Sequence, residues 1–492
     1  MSIDPRTPVV VGVGQFLQRP ANLEDALEPV AMMAEAVAAA AADAGVPGLV
    51  GRADLIVAVK GAWHYPDPAR LVAERFGASA ARGALTSDGG NTPQSVISHL
   101  SKLIAAGDLD VAVVVGAEAI WSRRRMRAAG IERRVTEQPA GAAPDRLIGS
   151  DLPMSTEAER ARGLELPVHF YPIFESAIRY ERAETLEDHR TRISQLWARL
   201  NSVAVANPYA WIREPMTAEE IRDPSPANRM VGFPYTKAMN SNWDLDLAAA
   251  VIVCSAGAAA DLAVPRDRWV FPHSGADAHD TLAVSNRWSL AHSPAIRAAG
   301  RRALDLAGVD VDDLAHIDLY SCFPSAVQVA AGELGLSQER QLTVTGGLTF
   351  AGGPLNNYVT HSVATMASVL RSDPGTFGLV TANGGYLTKH AIGVYCTEPP
   401  AGGFRWQDAQ GEVDAAPTRA ALDDHDGPVE IEAYTVMHGH DGPDKALVAC
   451  LGPEGQRAWA TSGDPDVMDA MVAEEFIGTK ARLHPGGKVT FD

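Results

Sequence analysis

The sequence predicts an α/β protein made of one unit that occurs twice, followed by a smaller β-rich piece. Three observations carry this expectation. Short β-branched runs such as "TPVVVGVGQF" alternate with helical segments, as in buried parallel strands joined by crossover helices. The same succession of elements returns roughly 265 positions later in the chain. From residue 428 the pattern changes to closely spaced strands with one short helix.

After the first strand, "LEPVAMMAEAVAAAAADAG" reads as a helix with Pro29 near its start and Gly45 just past its end. The buried strand "RADLIVAVKGAW" follows. The second copy offers "HSPAIRAAGRRALDLAG", with Pro294 early and Gly308 as its stop, and then the strand "AHIDLYSCF". Gly45 and Gly308 lie 263 positions apart. The next pair, "SHLSKLIAAGDLDVAVVVG" and "ATMASVLRSDPGTFGLVTANGG", sets Val113 and Leu379 266 positions apart. One such pair would fit chance similarity, but two pairs in order favour duplication.

The divisions follow. The N-terminal half is 1–265, including a polar, mostly helical insertion over 121–244, and "DLDLAAAVIVCSA" closes it with a buried strand. The C-terminal half is 266–397. A Gly-, Pro- and Asp-rich linker, 398–427, carries no strand pattern. In 428–492, three strands, a helix and two strands have the order of an OB-like β-barrel.

The 492 residues carry a formal net charge of −19, which argues against bulk nucleic-acid binding or attraction to anionic membranes. Four cysteines without a CxxC pair imply neither a zinc site nor a disulfide framework, so a reduced, cytoplasmic setting is expected. The N-terminus enters a strand directly, without a signal-peptide pattern. No apolar run approaches the roughly 18–20 residues of a membrane span.

In "TSDGGNTPQSVISHL", Asp88-Gly89-Gly90 form a sharp turn where a helix begins. Free N–H groups and the positive end of the helix dipole converge at such a spot, which suits a nucleophile or an anion. This turn offers no Cys, no Ser at its apex and no P-loop Lys. It has the shape of a catalytic loop without its catalyst.

Four further segments carry a resemblance. "MNSNWDLDLAAAVIV" keeps Asn240, Asp246 and Ala248 of a thiolase strand motif, and "GGLTFAGGPLNN" is similar to that family's GGxxxxGHPLG loop. "IDLYSCFPSA" is similar to its DCF or NEAF loop, and "TANGGYLTKHAIGVY" to its CxGGG segment. Over residues 8–397 the chain resembles the thiolase superfamily. With the added tail it resembles thiolase-like proteins type 1, relatives of acetyl-CoA acetyltransferases.

The resemblance implies a layered αβαβα fold of duplicated βαβαβαββ halves, acyl-CoA chemistry in lipid metabolism, and pairing of chains through the strand "VAVVVGAEA" unless the added tail blocks that edge. Thiolase chemistry requires a Cys thiolate, a His that activates it and a second Cys that moves the α-proton. Gly90, Gly353 and Ala382 stand at those three positions, and Tyr320 stands where the family supplies an Asn or His. The main-chain N–H groups of Gly90 and Gly384, which would form the family's oxyanion hole, survive these replacements. The implied pocket is Asp88, Gly90, Asn91, Tyr320, Cys322, Asn356, Asn383 and Gly384.

The implied ligand is a CoA thioester or related carbonyl compound, with no cofactor or metal. Arg123, Arg124 and Arg125, followed by Arg127, Arg133 and Arg134, open the insertion where thiolases contact CoA. They could neutralise a phosphate or pair with nearby acids. Tyr320 could act as a weak acid or simply fill the pocket, Cys322 reads as a core thiol, and His361 and His390 flank the site. His438 and His440 share a hairpin that lacks a third metal ligand. An alternative function is a partner-dependent subunit of a lipid or steroid side-chain aldol-cleaving complex, because some thiolase-like proteins work beside a separate OB-fold protein. The chain itself is expected as a monomer or homodimer.

Overall fold

The computed structural model describes residues 3–133, 135–423 and 425–491, so Arg134 lies outside the described residues. The first sheet runs Pro8–Leu17, Asp246–Ser255, Val111–Ala119, Leu55–Ala58, Arg82–Thr86 and Arg146–Ile148. The second runs Phe271–His279, Lys389–Cys396, Phe377–Gly384 and Leu314–Asp318, with Arg405–Asp408 added beside Phe271–His279.

The first four positions of each list correspond in order and in sense. Val111–Ala119 is parallel to Leu55–Ala58 and antiparallel to Asp246–Ser255. Phe377–Gly384 is likewise parallel to Leu314–Asp318 and antiparallel to Lys389–Cys396. Both sheets are therefore mixed and share one topology, as the repeat predicts.

Helices Thr92–Ala106 and Tyr358–Ser372 lie between the sheets and touch both. Helix Pro29–Asp43 covers the outer face of the first sheet, and Pro294–Ala307 the outer face of the second. The layering is αβαβα. Strands buried on both faces read as continuous apolar runs, and Asp246–Ser255 is buried at every position.

Three expectations need correction. "VAVVVGAEA" is an interior strand, hydrogen-bonded on both sides, and offers no edge for a second chain. The edge that could have paired, Arg82–Thr86, is covered from within the chain by Arg146–Ile148 of the insertion. The stretch expected as a linker without strands contributes Arg405–Asp408, parallel to Phe271–His279, and a helical turn at Gln410–Val413.

The third is the closed barrel. The C-terminal sheet runs Ala421–Leu422, Arg457–Ser462, Pro443–Leu451, Gly427–His438, Lys480–Leu483 and Val489–Phe491, with helix Pro465–Ala473 between Arg457–Ser462 and Lys480–Leu483 in sequence. Its last strand returns toward Arg457–Ser462, but a single parallel bridge, Thr461 to Lys488, stands where a closing ladder would run.

The sheet docks firmly on the body. Arg457, with no exposed surface, pairs with Glu432 at 2.6 Å and donates to the carbonyls of Val284, Ser285 and Arg287. Trp459 Nε1 donates to Ser285 Oγ at 2.8 Å. No helix among the described residues is long and apolar enough to cross a membrane.

Candidate functional site

Three chain segments meet at the ends of strands. The turn after Arg82–Thr86 brings Asp88 to Asn91, the loop after Leu314–Asp318 brings Tyr320 and Cys322, and Phe377–Gly384 ends in Asn383 and Gly384. Asn91 is the N-cap of Thr92–Ala106 and is followed by Pro93 in the first turn, which suits a helix start. Thr92 N and Oγ1 both donate to Gly89 O, at 3.0 and 2.9 Å, and close the turn.

The turn is held from outside by a polar set. Asn356 Oδ1 accepts from Gly89 N at 3.0 Å, while its Nδ2 donates to Lys60 O at 2.9 Å and Asp88 Oδ1 at 3.0 Å. Lys60 Nζ pairs with Asp88 at 2.6 Å and Asp151 at 3.3 Å. Asp88 N donates to Asp151 Oδ1 at 2.7 Å, and Lys389 Nζ donates to Asp88 O at 2.5 Å. The hydrogen bond to Asp88 raises the Lys60 pKa, and the Asp88 amide lowers that of Asp151, so Lys60 and Asp151 stay charged.

Inside the turn, space is short. A methyl group built on Gly90 overlaps the Tyr320 hydroxyl and the Asn383 carbonyl oxygen, and lies 2.8 Å from Tyr320 Cζ. A methyl group built on Gly384 overlaps Asn91 Oδ1 and lies 3.1 Å from Gly89 Cα and 3.3 Å from the Gly90 amide nitrogen. The Gly90 and Gly384 backbones thus face each other closely. Buried Gly90 N–H donates to no acceptor among the described residues, and Asn91 Oδ1 beside it is also buried without a partner. An unpaired buried polar group costs about 1–3 kcal/mol, so two together call for a ligand or water.

Tyr320 is 8% exposed, and burial holds its phenol well above the ordinary pKa. Its ring packs edge-on against Tyr358 at 5.4 Å. Cys322 sits one layer further back, its Sγ 3.8 Å from Asn383 Nδ2, and burial pushes its pKa up to about 12. A thiol so protonated is a poor nucleophile. Asn383 Nδ2 is used chiefly by Tyr171 Oη, at 2.8 Å.

The structure therefore brings together Asp88, Gly90, Asn91, Tyr320, Asn356, Asn383 and Gly384, with Cys322 behind them. Ala382 lines a small cavity behind the cleft with Tyr320. A methyl group on Gly353 instead overlaps Ser241 Oγ, and the Gly353 amide donates to Asn242 O at 2.8 Å. His361 is buried, donates from Nδ1 to Gln15 Oε1 at 2.8 Å, and burial pushes its pKa down to about 3.

Arg123 Nη1 donates to Ala62 O at 2.5 Å, and Arg124 and Arg125 pair with Asp244 at 3.3 and 3.5 Å. Lys60, Asp151 and Lys389 escaped the sequence reading. Lys389 stands inside the quoted "YLTKHAIG", but no spacing rule links it to Asp88, 301 positions away.

A family model described as the thiolase-like protein type 1 additional C-terminal domain matches residues 408–488. The crystal structure of a monomeric SCP2-thiolase like protein type 1 from Mycobacterium smegmatis matches 100% of both chains, with a TM-score of 0.85 and 30% identity. The chain belongs to the SCP2-thiolase-like proteins of type 1.

A structure titled Ltp2-ChsH2(DUF35) aldolase matches 80% of this chain and 99% of its own at TM-score 0.60 and 19% identity, a likeness of fold alone. An acetyl-CoA acetyltransferase of Methanocaldococcus jannaschii is 25% identical over 169 residues, which are 34% of this chain. The matched stretch spans 41% of that enzyme's length. The type 1 protein described here is thus a thiolase-like relative of acetyl-CoA acetyltransferases.

Proposed function

We propose that this protein binds a carbonyl compound, an acyl-CoA thioester or a related molecule, between Gly90 and Gly384 without forming an acyl-enzyme. The free Gly90 N–H, buried opposite Gly384 and beside the Tyr320 hydroxyl, carries the reading. A carbonyl oxygen there would take the main-chain donor, with Tyr320 as a second donor. No nucleophile stands at the turn: Gly90, Gly353 and Ala382 occupy the positions of the family's Cys, His and second Cys, and Cys322 is held protonated.

Arg123, Arg124 and Arg125 mark the side from which CoA phosphates would approach, and part of their charge is already used by Asp244. The tail is read as an OB-like unit, since its strand order and intervening helix are those of that barrel. A cytoplasmic place in lipid metabolism fits the four free, buried cysteines.

The test is a thermal-shift and calorimetric titration with acetyl-CoA and acetoacetyl-CoA, followed by mass spectrometry of the intact protein. Saturable binding without a covalent adduct is expected. A thioester adduct, or thiolysis at ordinary thiolase rates, would overturn the reading.

A second reading is a partner-dependent subunit of an aldol-cleaving complex. It is supported by the fold likeness to the Ltp2-ChsH2(DUF35) aldolase, and here an OB-like unit is read as already joined to the chain. Isolation of a stable heteromeric complex would favour it.

A further inference from the structure

Directly behind the cleft lies a cavity of about 10 Å³, room for roughly one water, lined by Tyr320, Thr381, Asn383 and His390 among apolar side chains. Asn383 and His390 are direct partners in the antiparallel ladder, so their side chains project from the same face of the sheet. They are 4% and 3% exposed. With Nδ2 given to Tyr171, Asn383 Oδ1 has no partner among the described residues, and His390 Nε2 makes no hydrogen bond of normal geometry among them. That nitrogen lies 3.5 Å from Asp280 Oδ2.

Asp280 is itself buried. Its carboxylate accepts from Ser293 Oγ at 2.5 Å and Ala295 N at 3.1 Å, at the start of helix Pro294–Ala307. On its far side it lines the outer cavity of 320 Å³, together with Arg287, His292 and Arg301. A carboxylate–imidazole couple therefore stands between that outer cavity and the floor of the cleft. A buried couple of this kind is weak as a device for stability, since an apolar pair of similar volume serves as well or better. Its position beside orphaned polar atoms and a phenol gives it a different use.

We propose that Asp280 and His390 form a proton-transfer pair serving Tyr320 from the side opposite the cleft, through one water held by Asn383 Oδ1. His390 directs Nε2 to Asp280 and Nδ1 to the water, and the water meets the Tyr320 hydroxyl. When the Tyr320 O–H bond breaks and its proton passes to a ligand oxygen, the phenolate takes a proton from the water. The water takes one from the imidazole at Nδ1, the imidazole takes one at Nε2 by way of Asp280, and Asp280 draws it from the outer cavity. The net change is one proton moved from solvent to the ligand, with no oxidation or reduction. Only that last delivery rests on the carbonyl-binding reading.

The test uses the full chain labelled with ¹⁵N-histidine, without ligand, and assigns His390 by the signals lost in His390→Gln. Tyr320→Phe keeps the ring and removes the hydroxyl. The pair predicts that both His390 ring nitrogens shift in Tyr320→Phe, while His361, His273 and the melting temperature stay in place. Asp280→Asn is expected to shift the Nε2 signal of His390.

If the couple only pins strand to helix, Tyr320→Phe leaves the His390 signals unchanged, and that result overturns the proposal even where Asp280→Asn fails to fold. A high-resolution crystal structure with no water between Tyr320, Asn383 and His390 would overturn it as well. Because no ligand is present, failure here leaves the carbonyl reading standing. A ligand titration that fails while His390 responds to Tyr320→Phe removes only the carbonyl reading.

Discussion

Placing a cysteine at position 90 is the most direct probe of the site. The Cβ of Gly90→Cys would overlap the Tyr320 hydroxyl and the Asn383 carbonyl oxygen. The carbonyl belongs to a paired strand and cannot swing aside, and Tyr320 is held by Tyr358 at 5.4 Å. Overpacking of this kind costs about 1–3 kcal/mol. At roughly 2 cal/mol/K per residue, a chain of this length has an unfolding entropy on the order of 1 kcal/mol/K, so calorimetry should read a melting point lower by about 1–3 °C.

Gly90→Cys should remain unacylated after incubation with acetyl-CoA, as read by mass spectrometry. Adding Tyr320→Ala makes room, and the two changes should be non-additive by about 1–3 kcal/mol in favour of the double variant. A single variant that melts with the wild type, and whose new thiol alkylates like a free cysteine, would show that Tyr320 does not fill the position.

Three further outcomes are expected. Gly384→Val should fold but lose the carbonyl ligand in calorimetric titration, because its side chain meets Asn91 and the Gly89 backbone, while Cys322→Ala should bind as wild type. Gly384 lies outside the left-handed region, so the loss would come from crowding and not from backbone strain.

Burial alone would raise the Glu175 pKa, but bonds from His189, Tyr235 and Gln328 bring it below the usual 4.5. Burial would lower His189, and Glu175 and Glu184 raise it above 6.5. The carboxylate's contribution is lost as pH falls through its folded value, and the imidazolium's as pH rises through its own. Their sum is therefore full between 4.5 and 6.5. Urea denaturation across pH should show Glu175→Gln weaker by about 3–5 kcal/mol in that window.

Arg457→Met, which removes the close partner of Glu432 and the donor to three carbonyls, should speed limited proteolysis within the mostly exposed residues 414–420. Cleavage rates equal to wild type would show that Arg457 does not hold the tail.

The sequence by itself determined what local periodicity and spacing encode. Strands buried on both faces, Pro-started and Gly-stopped helices and the 263–266 offset are properties of contiguous residues, and they indicated the repeated sheet topology and most tail strands. That the turn Asp88-Gly89-Gly90 carries no Cys or Ser was legible for the same reason.

Tertiary structure decided what depends on partners far apart in the chain. Whether "VAVVVGAEA" is an edge depends on which strands flank it, and three insertion residues, Arg146–Ile148, cover the true edge without any periodic signal of their own. That Tyr320 occupies the space of a residue-90 side chain follows from two loops 230 positions apart meeting at van der Waals range. Asp280 meets His390 only because Phe271–His279 pairs with Lys389–Cys396. Side-chain chemistry is written in the sequence, but proximity is set by sheet register and layer packing, which no local pattern specifies.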